Sequence, residues 1–299
     1  MHLSTYVGIA ISVGLANALS QGFNVQVRNT DGSCKTQADW EADFNKIRSL
    51  PGNFNSLRLF SLLECDAISI IAPAAIATGG KVLAGVTVQY PESFAAEKQQ
   101  LLAAVKNHGS KWLAAVSVGY DDLSRNELMS HALAEKINEV RGMLSTVVKG
   151  RTNVLVGHID SWTAWIDKKN SAVIKACDFI GTKLNLSLQN NDKISIKYSV
   201  KNYFDSLDQV REAVAATGSN PSIWITEGGW PSISHPVYEV VPTIEIAQAI
   251  WKNIACPLFT INNVFWRSLQ HQQESPAFGV LDAKGKPLYD LTCNSFEPL

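Results

Sequence analysis

An eightfold alternation in this chain constrains its fold more than any other feature. Short runs dense in β-branched and aromatic residues occur at Gly22 to Val27, Ser56 to Phe60, Lys81 to Val88, Trp112 to Gly119, Asn153 to Ile159, Asp178 to Leu186, Ser222 to Thr226 and Asn263 to Leu269. Between them lie segments with apolar residues at helical spacing: Ala38 to Leu50, Ala67 to Ala77, Ala95 to Asn107, Asn126 to Val148, Ser171 to Ala176, Ser206 to Ala216 and Thr243 to Ile254. Most of the strand-like runs are continuously apolar, as expected of parallel strands covered on both faces. With no linker or low-complexity break between units, the pattern predicts an α/β fold: a single closed (β/α)8 TIM barrel, for which about 250 residues is ordinary. The chain has 299 residues, 46% hydrophobic and 18% charged, enough apolar material for one core of that size.

The N-terminus reads differently. An apolar run from Tyr6 to Leu15 leads into Ala16-Asn17-Ala18, the small-x-small form cut by signal peptidase, with Ala18-Leu19-Ser20 as a second possibility. Residues 1–20 are therefore expected to be a secretory leader and residues 21–299 the barrel, secreted to the cell wall or the extracellular space. The leader is too short to span a bilayer, which takes roughly 20 apolar residues. Cys293 to Leu299 lack the hydrophobic tail of a lipid-anchor signal, so no membrane anchor is expected. With 26 Lys+Arg against 27 Asp+Glu, no basic field for nucleic acid is present.

Five cysteines without a C-x-x-C pair argue against zinc or thioredoxin-like chemistry, and six dispersed histidines give no ligand spacing. No metal or cofactor is expected. In an oxidising compartment an odd count leaves at least one thiol unpaired. Cys177 is the favoured one because it follows the apolar face of a short helix. Cys34 with Cys65 and Cys256 with Cys293 are then the favoured pairs, although spacing alone leaves the connectivity open.

Active sites of such barrels lie where the C-terminal ends of the strands meet the following loops. Two carboxylates stand there: Asp121 after the fourth run and Glu227 after the seventh. Glycoside hydrolysis uses such a pair, one carboxyl to protonate the leaving oxygen and one to attack the anomeric carbon. An acid at a strand end more often caps a helix or binds a loop arginine. Glu227, however, sits between an apolar strand and Gly228-Gly229-Trp230, where no local role explains it.

The chain resembles glycoside hydrolase family 17, the fungal cell-wall β-1,3-glucanases and glucanosyltransferases. The resemblance covers essentially all of the barrel. It rests on Gly22-Phe23-Asn24, Asp31 to Lys35, Gln37 to Trp40, Ala115 to Gly119, Gly157 to Trp165, Ala172 to Gly181, Ile225 to Pro231 and Ser275 to Val280. It implies a retaining mechanism with Glu227 as nucleophile and Asp121 at the acid/base position. The substrate it implies is β-1,3-glucan or a related wall polysaccharide. By position, Asn24, Arg58, Phe60, Tyr120, His158, Asp160, Trp162, Trp165, Trp230 and Trp266 become substrate-site candidates. Arg58 is expected to orient the nucleophile, and at least one of Trp162 and Trp165 to line the cleft, whereas Trp40, Trp112 and Trp224 are expected in the core.

Departures from the family cluster at the same face. Where relatives have Val-Gly-Ser-Glu-Asp, this chain has Val118-Gly119-Tyr120-Asp121-Asp122, so the acid is one methylene shorter, a withdrawal of about 1.5 Å. The aromatic Asp-Gly-Tyr-Pro-Tyr-Phe run after the sixth strand is replaced by Lys183 to Leu188, which creates the sequon Asn185-Leu186-Ser187 and hence a candidate glycosylation site at Asn185. Three functions stay open on this reading: a working hydrolase or transglycosylase, a wall-associated glucan-binding protein with a degenerate site, and a structural protein that neither binds nor cuts glucan. The oligomeric state is not legible.

Overall fold

The structure is a computed structural model and describes residues 19–148, 154–184, 196–232, 243–270 and 277–293. Eight parallel strands close into a barrel in the order β1 to β8: Gln21–Asn24, Ser56–Leu59, Lys81–Val86, Leu113–Tyr120, Val156–Ser161, Phe179–Leu184, Ser222–Gly228 and Val264–Trp266. Helices α1 (Gln37–Ser49), α2 (Ala67–Thr78), α3 (Pro91–His108), α4 (Ser130–Ser145), α5 (Trp162–Ile166), α6 (Ser171–Ala176), α7 (Ile196–Ala216), α8 (Ile244–Ile250) and α9 (Cys256–Ile261) accompany them. The predicted (β/α)8 barrel is the observed fold. The leader reading on Met1 to Ala18 and the sequon at Asn185 lie outside the described residues.

The elements follow from local chemistry. Thr36 and Asp39 close a reciprocal capping box at the start of α1, and Pro91 opens α3, where its missing N–H costs no hydrogen bond. The seventh helix begins ten residues earlier than the spacing predicts. Its first half is polar on the outside, but Val200, Tyr203 and Phe204 continue the stripe of Leu207, Val210 and Val214 toward the core. The last predicted helix also runs on. A π turn over Trp251–Ala255 joins α8 to α9, and Pro257, unable to donate a backbone hydrogen bond, sits just past it.

Two cores result. Between sheet and helices lies the large one, where Phe23, Phe54, Trp251 and Phe259 meet ring to ring. Inside the barrel a smaller one contains Leu83, Ala115, Ile159, Phe179, Trp224 and Phe265, with the Phe179 and Trp224 rings stacked at 4.3 Å. Trp40, Trp112 and Trp224 are buried as predicted. Cys34 is bonded to Cys65 and Cys256 to Cys293, while Cys177 is a buried free thiol. Burial pushes that thiol up to about 12 and leaves it inert.

Two irregularities position the mouth. The pairing of β4 with β5 shifts between Ser117 and Tyr120, and β7 slips against β6 so that Thr182 faces Ile225 but Lys183 faces Glu227. Strict alternation from Trp224 would aim residue 227 at the helices. The extra residue turns Glu227 into the barrel mouth.

Candidate active site

Glu227 is 2% exposed and has every carboxylate oxygen engaged. Arg58, from the end of β2 and equally buried, donates Nη1–H to Oε1 at 2.8 Å and to the Thr226 carbonyl at 3.1 Å. Tyr120 donates its hydroxyl to Oε2 at 3.2 Å, and Arg267 approaches the same oxygen at 3.8 Å. Burial pushes the carboxyl up, yet the charges of Arg58, Lys183 and Arg267, with the Arg58 hydrogen bond, bring it below its usual value. Glu227 is thus an ionised carboxylate held rigidly, with Arg58 in the orienting role expected of it.

Asp121 follows β4 in a left-handed backbone conformation, φ 62°. Its N–H is fixed to the Ile159 carbonyl at 3.0 Å and its carbonyl to Arg125 N–H at 3.0 Å. Lys183, at the inward register position near the end of β6, donates to Asp121 Oδ2 and, at 3.0 Å, to the Tyr120 hydroxyl oxygen. The two carboxylates are therefore joined across the mouth by a continuous path through Lys183 and Tyr120. Asp121 Oδ1 is buried and has no hydrogen-bond partner in the protein. Burial raises the Asp121 carboxyl above its ordinary value, against the opposing pull of Lys183. Burial and the Glu227 charge likewise keep the Tyr120 phenol protonated.

The remaining candidates divide. Phe60 lies under the Arg58 guanidinium at 4.3 Å and meets the Tyr120 ring edge-on at 5.3 Å. With Asn24, Gln26, Arg28, Arg267 and Ser268 it lines a cavity of about 140 Å³ beside the mouth, between the loops after β1 and β8. Asn24 donates Nδ2–H to the Thr226 carbonyl, while its Oδ1 has no protein partner. Trp230 is nearly buried, with Nε1 likewise unsatisfied within the protein. Trp162 is partly exposed at the start of α5, and so is the cleft-lining candidate of its pair.

Four residues expected at the substrate are instead in the wall. Ile159 faces the barrel interior, so its neighbours His158 and Asp160 face the helices, and both are fully buried. Trp165 is fully buried and donates Nε1–H to the Gly181 carbonyl. Trp266 is outward on β8, 1% exposed, and packs edge-on against Trp251 at 5.7 Å. None offers a face to a sugar. Conversely, Lys183, which the resemblance does not single out, stands at the centre of the mouth. A lone lysine at an inward position of an apolar barrel strand must find a carboxylate, and that signal was available.

A closed parallel barrel with a buried, arginine-held glutamate near the end of β7 and an acid after β4 defines the class: a (β/α)8 glycoside hydrolase scaffold. The family profile for the BtgE/BtgC glycoside hydrolase domain matches residues 22–279, and the chain belongs to this family of the family 17 type. It is 33% identical to a relative named "Probable glucan endo-1,3-beta-glucosidase eglC" from Aspergillus terreus, over 98% of this chain and 64% of that protein. A counterpart from Aspergillus fumigatus matches at 33% over 99% and 70%. The chain thus spans about two thirds of the length of these relatives. A "Glucan 1,3-beta-glucosidase" of Saccharomyces cerevisiae is 27% identical over 88% of this chain and 84% of its own. The glycoside hydrolase family 17 beta-1,3-glucanosyltransferase of Rhizomucor miehei superposes with a TM-score of 0.78 at 20% identity, covering 93% of this chain and 98% of that one. An active-site mutant of the Rhizomucor enzyme has been solved with laminaritriose.

Proposed function

We propose that this chain is a secreted glycoside hydrolase acting on cell-wall β-1,3-glucan by a retaining mechanism, with slow turnover. One observation carries the reading: two carboxylates meet at one mouth, Glu227 paired with Arg58 and Asp121 with its buried Oδ1 left without a protein partner, joined through Lys183 and Tyr120, and their surroundings favour charge on Glu227 more than on Asp121. Asp121 then donates its proton to the glycosidic oxygen as Glu227 attacks the anomeric carbon. In the second step Asp121 takes the proton from water, or from an acceptor sugar hydroxyl, as the glycosyl–Glu227 bond breaks. The names of the relatives support β-1,3-glucan as the substrate. Secretion is supported by the apolar leader and by two disulfides. Leu19 and Ser20 already bond to the floor of the barrel, which favours the cut after Ala18.

Slow turnover follows from Lys183 and Tyr120, which sit on the path between the carboxylates, and from the shorter reach of Asp121. The same occupation favours a second reading, glucan binding without cleavage. Release of reducing sugar from laminarin by the purified mature chain, set against Glu227→Gln, decides between them. Equal rates remove the hydrolase reading, and calorimetry with laminari-oligosaccharides then tests the binding one.

A further inference from the structure

His158 is buried, and both of its ring nitrogens face acceptors. Nδ1 lies 2.7 Å from the Val118 carbonyl, an oxygen that only accepts, so Nδ1 carries a proton. Nε2 lies 3.1 Å from Asp160 Oδ2. That oxygen also receives Leu123 N–H at 2.9 Å and Ser124 N–H at 3.4 Å, while Oδ1 receives Ser161 N–H at 2.7 Å. Three backbone N–H groups, two on Oδ2 and one on Oδ1, hold Asp160 as an acceptor-only carboxylate, and a bare Nε2 lone pair facing that charge would be repelled, so Nε2 is protonated too.

We propose that His158 is a buried imidazolium that acts as a positioning residue, pinning the turn from Gly119 to Ser124, and with it Tyr120 and Asp121, to β5. The groups facing it agree with a positive charge. Asp160 comes from its own strand and Asp122 from the turn, with Arg125 and Glu127 beyond Asp122. The edge-on Trp165 ring of α5 closes the helix side, and the Cys177 thiol contacts the His158 backbone. Burial alone would strip the proton, but the Asp160 hydrogen bond and charge, the Asp122 charge and the Val118 carbonyl outweigh it and raise the imidazole above its ordinary value.

The turn needs such a pin. Gly119 and Asp121 both have positive φ, 80° and 62°, and for the aspartate that is a strained conformation held by its surroundings. Asp122 contributes by accepting Tyr120 N–H at 2.6 Å. Gly119 has no space for a side chain, since a Cβ there would lie 2.3 Å from Asp122 Oδ2 and 3.1 Å from the imidazole. His158 thus couples the Val118 carbonyl, near the end of β4, to the carboxylate that grips the far side of the turn.

Only the kinetic consequence rests on Asp121 being the acid, and the test separates the two. Long-range nitrogen–proton correlation on the unmutated protein should show both ring nitrogens of His158 protonated from pH 5 to pH 8. A neutral ring with one bare nitrogen at pH 7 overturns the proposal and needs no variant to fold. In His158→Gln, amide exchange at Leu123 and Ser124 should accelerate at least about tenfold, the worth of one charge-assisted hydrogen bond, with strand β2 unchanged. Unchanged exchange at the turn refutes the positioning role. On laminarin, kcat should fall while KM holds. An unmutated protein that does not cleave laminarin counts against the hydrolase reading and leaves the exchange result to judge this one.

Discussion

Replacing Arg58 with methionine tests the electrostatic core of the site. Arg58 and Glu227 form an ion pair at 2.8 Å with both side chains almost wholly buried. Removing one partner of such a pair typically costs about 3–5 kcal/mol, because the survivor is left as a buried charge. Here Arg267 at 3.8 Å and the Tyr120 hydroxyl at 3.2 Å remain, which places the cost near the lower end. Arg58→Met should therefore lose about 3 kcal/mol in equilibrium urea unfolding followed by tryptophan fluorescence. Glu227→Gln alone should cost less, since the amide oxygen still accepts from Arg58. The double variant should recover about 2 kcal/mol relative to the sum, a coupling within the range for groups in one network. The pH dependence has a definite sign. In the unmutated protein the folded carboxyl lies below its unfolded value, so its contribution is present above the unfolded value and fades as pH falls through the folded one. Without Arg58, burial raises the carboxyl and acid relieves the stranded charge, so the deficit of Arg58→Met should shrink from pH 7 to pH 5. An additive cycle, or a deficit independent of pH, would refute the claim that Arg58 acts through the charge of Glu227.

Three further outcomes follow. Asp121→Glu should raise turnover of laminarin, because reach is restored at unchanged charge; a lower or equal rate points to Tyr120 and Lys183 as the obstruction. Lys183 draws the Asp121 carboxyl down, so Lys183→Met should move the alkaline limb of the kcat/KM profile to higher pH, and an unmoved limb would show that Asp121 is not the group titrating there. Trp162→Ala should weaken laminari-oligosaccharide binding about fivefold in calorimetry, the worth of one ring contact, whereas Trp165→Phe should leave affinity unchanged and lower stability.

The barrel was legible because its signal is repeated: eight apolar runs, each bounded by a helical segment, leave little freedom in topology. The strand ends were legible for the same reason, and they delivered Asp121, Glu227 and Arg58. Which neighbours point inward was not. His158 and Asp160 stand beside inward Ile159 in sequence, and only the register around the closed sheet turns them to the helices. Trp165 and Trp266 failed likewise, since a tryptophan next to a site looks the same whether its ring faces sugar or core. Lys183 joins Asp121 across 62 positions of sequence, a pairing no local pattern encodes.

The one-residue slips in β4 and β7 give the site a reading frame of its own. Along β7 the scaffold counts in twos up to Trp224, and Glu227 belongs to a second count begun after the slip. A substitution changes which group occupies a place, but taking the extra residue into the ladder exchanges wall for mouth for everything beyond it. Pairing Thr226 opposite Lys183 would set Glu227 toward the helices, whereas loss of Thr226 would leave the glutamate two places after inward Trp224, still opposite Lys183 and facing the mouth. Which side chains reach the mouth of this barrel is thus decided at two points, by leaving one residue out of the ladder, without disturbing the apolar layers that hold the sheet together.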